Sequence, residues 1–105
     1  MISTHVLDTS KGKPAVGVPV SLSRFEDERW TELHAASTAD DGRIADMMGG
    51  APRRSGVYRL VFNTASYGNP LFPEVAVMFR VVAADQHHHI PLLVSDYGYT
   101  VYRGS

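Results

Sequence analysis

Short runs of alternating apolar and polar residues recur along the whole 105-residue chain, and they restrict its fold more than any other feature. Successive side chains of a β-strand leave opposite faces, so this alternation is typical of half-buried strands. The pattern predicts eight short strands, at residues 2–7, 16–22, 29–36, 42–46, 58–62, 75–82, 88–94 and 99–103. Pro19 lies inside the second run and favours an edge position for that strand, where its missing N–H costs no ladder hydrogen bond.

Segments rich in Gly, Pro, Asp and Asn separate these runs, as turns require. They lie at residues 10–14, 40–42, 49–52, 67–70 and 96–98. No extended helical periodicity occurs between them, and Thr64–Tyr67 allows one helical turn at most. We therefore expect one domain over residues 1–105, an all-β antiparallel sandwich of about eight strands, because two packed sheets bury the apolar faces of such strands.

Composition excludes several classes of site. The chain has no Cys, which rules out disulfides, thiolate zinc sites, iron–sulfur clusters and a cysteine nucleophile. Ten basic against eleven acidic side chains give a formal charge of −1, so no broad basic field is present to hold nucleic acid. No apolar run approaches the roughly 18 residues of a membrane helix. Residues 1–9 lack a secretory signal pattern, and we expect a cytoplasmic location if the protein is bacterial.

Three of the five histidines are consecutive, at positions 87 to 89. On a strand, His87 and His89 share one face and His88 takes the other, so two imidazoles two residues apart are placed to ligate a metal or share a proton. The alternative is that all three are exposed polar residues. His89 leads directly into the apolar run 90–94, which must be buried, so at least one imidazole is expected at the edge of a core or an interface.

Two further candidates lie on other predicted strands. His5 shares a face with Ser3 and Leu7 by alternation, and a lone strand histidine is usually a surface residue or a hydrogen-bonded core residue. Arg43 follows the turn at residues 40–42. It is either a surface arginine paired with the aspartates of that turn or an anchor for a planar carbonyl or urea-like group, which the rigid guanidinium fork suits.

The chain ends on Tyr102–Ser105 without a polar tail. Termini usually fray unless contacts hold them, so an aromatic residue and an arginine at the very end predict that this end lies in a pocket or an interface. No nucleophile elbow, phosphate-binding glycine loop or paired-carboxylate motif is present.

Five segments, taken together, resemble the 5-hydroxyisourate hydrolases, the transthyretin-related enzymes of purine degradation. These segments are residues 3–8, 41–43, 72–75, 89–93 and 102–105. The resemblance extends over essentially the whole chain in the same order, and the terminal tetrapeptide with the His-Ile-Pro-Leu-Leu segment is its most specific part. Transthyretin itself, a hormone carrier, resembles the family in fold but lacks those histidines and that terminus.

The resemblance implies a sandwich of eight strands that assembles as a homotetramer, a dimer of dimers, with active sites in a channel where dimers meet. It also implies hydrolysis of 5-hydroxyisourate, a small-molecule substrate, to 2-oxo-4-hydroxy-4-carboxy-5-ureidoimidazoline. The segment between Asn63 and Phe72 is shorter than is usual in the family, so the small helix is expected to be reduced or absent.

The resemblance also implies which residues act. The positions that match the family's catalytic residues are His5, Arg43 and His89, and the terminal signature at the substrate pocket matches Tyr102, Arg103 and Ser105. We expect the two histidines to meet across the fold as a base and its proton-sharing partner. No metal or cofactor is expected, since water attack on a ring amide needs neither.

Two other functions compete with the hydrolase. The first is a non-enzymatic, transthyretin-like carrier that binds a small aromatic ligand in the same channel, which tight binding without turnover would indicate. The second is a metal-binding domain that uses His5, His87 and His89, since three imidazoles suit zinc. Full activity after chelation, with no metal found by elemental analysis, would count against it.

Overall fold

Nine strands and one helical turn make up the computed structural model, which describes residues 1–105. The elements are β1 (Ile2–Asp8), β2 (Lys13–Pro14), β3 (Pro19–Glu26), β4 (Arg29–Ser37), β5 (Arg43–Ile44), β6 (Gly56–Phe62), α1 (Thr64–Tyr67), β7 (Val75–Val81), β8 (His88–Val94) and β9 (Tyr99–Val101). The predicted all-β class with at most one short helix is confirmed, and two of the nine strands are only two residues long.

The strands form two sheets. The first has the order β2-β1-β8-β9, and β5 also pairs with β1; the second has the order β4-β3-β6-β7. All pairs are antiparallel except β1 with β8, which is parallel. The parallel pair arises because four of the strands between β1 and β8 belong to the second sheet, so the chain crosses over before it returns to β1.

One core of 17 buried hydrophobic residues lies between the sheets. Val6 and Leu92 contribute to it from the first sheet, and Leu22 and Leu60 from the second, all with no solvent-accessible surface. Burying a side chain of this size contributes roughly 1.5–3 kcal/mol. On β6 the buried side chains alternate with half-buried ones, which is the pattern expected from the sequence.

The helical turn α1 is as short as the sequence predicted. The Asn63 side chain accepts a hydrogen bond from the backbone N–H of Ser66, which satisfies one of the free donors at the start of the turn. Gly68 ends it with φ of 101° and ψ of 20°, a left-handed conformation that glycine adopts without a steric penalty.

The prediction of an edge position for Pro19 was wrong. β3 lies between β4 and β6 and is therefore an interior strand. Pro19 is its first residue, a position where proline is tolerated because ladder pairing only begins there. The strand also begins later than the alternation suggested, and Val16 remains 49% exposed. Strand β2 was not predicted: its residues Lys13 and Pro14 lie in the segment 10–14 that was predicted to be a turn, and they pair with Asp8 and Leu7 of β1.

None of the chain's helices has the length and apolar character that crossing a membrane requires. The cytoplasmic location expected from the sequence stays a prediction.

Candidate active site

One face of the first sheet carries most of the candidate residues. Ser3 on β1 is the register partner of His89 on β8, and His5 is the partner of Arg43 on β5. Side chains at partnered positions project to the same face, and Ser3 and His5 are two residues apart on one strand. The sheet therefore brings His5, Arg43 and His89 to one surface, although β1 and β8 stand at opposite ends of the sequence.

A tight turn sets the position of Arg43. Gly42 has φ of +79°, and a Cβ atom built there would lie 2.5 Å from the backbone oxygen of Val6. The N–H of Val6 donates to the Gly42 oxygen at 2.8 Å. Only glycine allows this left-handed backbone to approach β1 so closely. β5 consequently begins at Arg43, directly opposite His5.

A cavity of about 350 Å³ opens on this face. Its polar lining residues include Ser3, Arg43, His87, His89 and Ser105. His5 does not line it but lies beside it, as the cross-strand neighbour of Arg43. A space of this size matches the lower range of small-molecule sites.

His89 is half-buried at the centre of this group. Burial lowers the pKa of its imidazole first, and the positive charges of Arg43, His87 and His5 lower it further. Each of these effects penalises the charged form of the ring. His89 is thus held as a neutral imidazole near pH 7, with Nδ1 hydrogen-bonded 2.7 Å from the Ser3 hydroxyl.

The tautomer of His5 follows from its partner. Its Nε2 lies 2.8 Å from the backbone oxygen of Asp41. A carbonyl oxygen only accepts hydrogen bonds, so Nε2 carries the proton that it donates. In the neutral ring Nδ1 is then the unprotonated nitrogen, available as a proton acceptor.

Arg43 is only loosely held by the turn that precedes it. Its Nε lies 3.9 Å from Oδ2 of Asp41, and the two side chains are 54% and 64% exposed. An exposed pair at this distance contributes little, between about 0 and 1 kcal/mol. The contact with an aspartate that the sequence suggested is present, and it leaves most guanidinium donors open to the cavity. A role for Arg43 as an anchor for a planar carbonyl or urea-like group stays a prediction.

The C-terminal residues are held against the site, as the sequence predicted. The N–H of Gly104 donates to the His89 oxygen at 2.8 Å, and Nη2 of Arg103 donates to the His87 oxygen at 3.2 Å. Ser105 lines the cavity. Tyr102, 49% exposed, and Arg103 do not line it.

The histidine cluster divides as its alternation predicted. His87 is exposed on the site face, whereas His88 is buried at 5% exposure on the other face, with Nδ1 3.0 Å from the Gln86 oxygen. No group of three or more His, Asp or Glu side chains in the chain is arranged to hold a metal ion.

Sequence reasoning missed Ser3 as a site residue. Its hydroxyl lies 2.8 Å from Nε2 of His87 as well as 2.7 Å from Nδ1 of His89. The available signal was that Ser3 shares a face with His5 by alternation. What could not be foreseen was its register with His89, which depends on the pairing of β1 with β8.

Known proteins resemble this chain over its full length. It is 41% identical over 110 residues to the 5-hydroxyisourate hydrolase of Salmonella dublin, an alignment that covers 100% of this chain and 81% of that protein. The structure of Klebsiella pneumoniae 5-hydroxyisourate hydrolase matches with a TM-score of 0.85 and 38% identity, covering 99% of this chain and 97% of that one.

Two other solved structures share the fold. (S)-allantoin synthase matches with a TM-score of 0.86 and 32% identity, but the 99% of this chain that aligns spans only 43% of that longer chain. Transthyretin from Sparus aurata matches with a TM-score of 0.90 and 26% identity, covering 98% of this chain and 95% of that one. The model of the HIUase/Transthyretin family matches residues 2–104. This chain therefore belongs to the HIUase/Transthyretin family.

Proposed function

We propose that this chain hydrolyses 5-hydroxyisourate to 2-oxo-4-hydroxy-4-carboxy-5-ureidoimidazoline, a step of purine degradation, and that His5, Arg43 and His89 carry the reaction. The full-length similarity to hydrolases of this substrate supports the activity. The observation that supports the assignment of residues is that one sheet face carries the His89 imidazole and the Arg43 guanidinium at the cavity, with the His5 imidazole beside them as the cross-strand neighbour of Arg43.

Hydrolysis of a ring amide sets three requirements. The hydroxyl of water adds to the carbonyl carbon, the C–N bond breaks, and the nitrogen gains a proton. A base must take a proton from the attacking water, a donor must stabilise the oxyanion that develops, and an acid must protonate the leaving nitrogen. The carboxylic acid that forms is ionised at pH 7, so one proton of the water goes to the nitrogen and the other leaves the site in each turnover.

His89 is suited to be the base. Its lowered pKa keeps the imidazole unprotonated near neutral pH, and the bond of Nδ1 to Ser3 leaves Nε2 as the free nitrogen. His5 presents the unprotonated Nδ1 described above. As the proton-sharing partner it takes the second proton of the water, which the added hydroxyl still carries, and delivers it to the leaving nitrogen as the C–N bond breaks. A positioned base of this kind contributes roughly 10²- to 10⁴-fold in rate.

Arg43 is suited to bind the oxygen-rich substrate and the oxyanion. Its guanidinium is always charged, and its planar donors fit carbonyl and urea-like groups. Its weak contact with Asp41 is readily exchanged for a substrate oxygen.

The C-terminal residues complete the pocket in this proposal. Ser105 offers a hydroxyl at the cavity wall. Arg103 orients the terminus through its bond to His87. Tyr102 remains a predicted substrate contact, exposed beside the site in the single chain.

We also propose a homotetramer, a dimer of dimers. The cavity lies on the outer face of a sheet, and three large aromatic side chains on or beside strand β9 of that sheet, Tyr97, Tyr99 and Tyr102, are between 46% and 76% exposed. Exposed aromatic surface beside a site favours an interface between copies. Light scattering during gel filtration tests this, with an expected mass four times the 11.5 kDa of the chain.

The test of the residues is the ring-opening rate of freshly made 5-hydroxyisourate, corrected for its spontaneous decay. We expect His5→Ala and His89→Ala each to lower kcat/KM by roughly 10²- to 10⁴-fold. His34→Ala is the matched control, because His34 lies on β4 in the other sheet. Near wild-type turnover in both site variants would refute the assignment. Tight ligand binding without turnover in the wild type would indicate a carrier. Loss of activity on chelation would indicate a metal site.

A further inference from the structure

The Ser3 hydroxyl connects two imidazoles at the wall of the cavity. Its Oγ lies 2.8 Å from Nε2 of His87 and 2.7 Å from Nδ1 of His89. Ser3 is buried at 5% exposure, and its register with His89 fixes the contact from the backbone. His87 is two residues before His89 on the same face, with its ring centroid 6.4 Å away. The sheet thus sets the contact between Ser3 and His89, and His87 directly precedes the first residue of β8.

A hydroxyl between two ring nitrogens links their protonation. It has one proton to donate and lone pairs to accept with, so it satisfies both rings when it donates to one and accepts from the other. If Nδ1–H of His89 donates to Oγ, then Ser3 donates to Nε2 of His87. The two rings therefore change tautomer together.

We propose that Ser3 and His87 form a proton relay behind His89, with both acting as positioning residues for the reaction proposed above, on which this inference rests. As the attacking water gives its proton to Nε2 of His89, the Nδ1 proton of His89 passes to Oγ of Ser3. The original hydroxyl proton of Ser3 passes to Nε2 of His87. His89 and Ser3 each gain one proton and lose one in this sequence, whereas His87 only gains one, so the positive charge ends on His87.

The surroundings of the two rings favour this transfer. A positive charge on His89 would sit half-buried near Arg43, which is the costly place for it. His87 is exposed, so water solvates the charge there. Arg103 holds the backbone oxygen of His87, which keeps this segment in place. The relay leads the proton that each turnover must release toward solvent.

The experiment compares kcat and KM for Ser3→Ala, His87→Ala and the double variant. Because each removes a hydrogen bond to a ring that becomes charged, we expect kcat to fall about 10- to 100-fold with KM little changed. The double variant should be no slower than the slower single variant, since either change breaks the same chain. Ser3→Thr keeps the hydroxyl and should recover most of the lost rate. Gln86→Ala, an exposed neighbour, is the matched control and should leave kcat unchanged.

Three outcomes would overturn the relay. They are a kcat within twofold of wild type in His87→Ala, single-variant losses that multiply in the double variant, and a Ser3→Thr variant that folds like wild type and yet is as slow as Ser3→Ala. His87 is exposed, so its variant stays informative even if Ser3→Ala fails to fold by circular dichroism. If the wild type does not hydrolyse the substrate, the proposed function is refuted instead. If the wild type is active and His89→Ala lowers kcat, but Ser3→Ala and His87→Ala do not, only the relay is refuted.

Discussion

Gly104→Ala should inactivate the enzyme without unfolding it. A Cβ atom at Gly104 would lie 2.6 Å from Cδ2 of His89 and 3.3 Å from Cγ of Pro91. Carbon atoms in contact prefer about 3.5–4.0 Å, so the His89 ring or the terminus must move by roughly 1 Å. The ring is held on its other side by Ser3, and either movement separates groups that this site needs together.

The size of the effect follows from that displacement. A misplacement of about 1 Å at a catalytic group costs on the order of 10²-fold in rate, or about 2.7 kcal/mol of activation free energy. The stability change has a small upper bound, because the one backbone hydrogen bond at risk, from Gly104 to His89, contributes about 0.5–1.5 kcal/mol. We therefore expect a large loss of kcat/KM and a small loss of unfolding free energy.

The assay pairs turnover of fresh 5-hydroxyisourate with urea unfolding followed by circular dichroism. Gly98→Ala is the matched control, because the nearest atom to its new Cβ, Oγ of Ser95, is at an ordinary 3.6 Å. If Gly104→Ala keeps kcat/KM within twofold of Gly98→Ala, then the close approach of the terminus to His89 does not set the geometry of the site.

Three further results are expected. Burial and nearby cations lower the pKa of His89, so the acid limb of the pH profile of kcat/KM should lie below pH 6.5. The unfolding free energy should fall as the pH drops through the same window, because the unfolded chain binds the proton first. An acid limb at or above pH 6.5 would contradict this. Burial, together with a 2.7 Å hydrogen bond to Asp8, raises the pKa of Tyr67 to about 12. Tyr67→Phe removes that hydrogen bond and should cost about 1.5–3 kcal/mol in urea unfolding at pH 7 with kcat/KM unchanged. Thr38→Val leaves the buried N–H of Val18 without its acceptor and should cost about 1–3 kcal/mol in the same measurement, and a cost near zero would show that the loop repacks.

Local patterns in the sequence were sufficient for the layered fold and for part of the site. Alternation separated His88, which is buried, from His87 and His89 on the site face, because a strand has a period of two. The same rule placed Ser3 and His5 together on β1. Alternation does not predict a strand that exists only because it pairs with another strand. β2 is such a strand, since its two residues pair with the end of β1.

What the residues alone could not supply was the meeting of distant strands. Local spacing does not encode that β1 pairs with β8, so only the family resemblance connected His5 with His89. Even the resemblance left Ser3 unnoticed, because its bridging position depends on one register between those strands. The prediction of an edge strand at Pro19 was wrong for a similar reason. A proline at the first residue of an interior strand cannot be distinguished, from the sequence, from a proline on an edge strand.

The parallel pair β1–β8 also has a consequence for how the protein folds. β3 and β4 form a hairpin from neighbouring residues and can pair early, whereas Ser3 must wait for a partner 86 residues later in the chain. Contacts of such long sequence separation form slowly, because the loop that they close loses entropy first. The proposed catalytic face is therefore among the last parts of the molecule to assemble. A nascent chain that has not yet reached β8 contains the strands of the second sheet without the proposed active site.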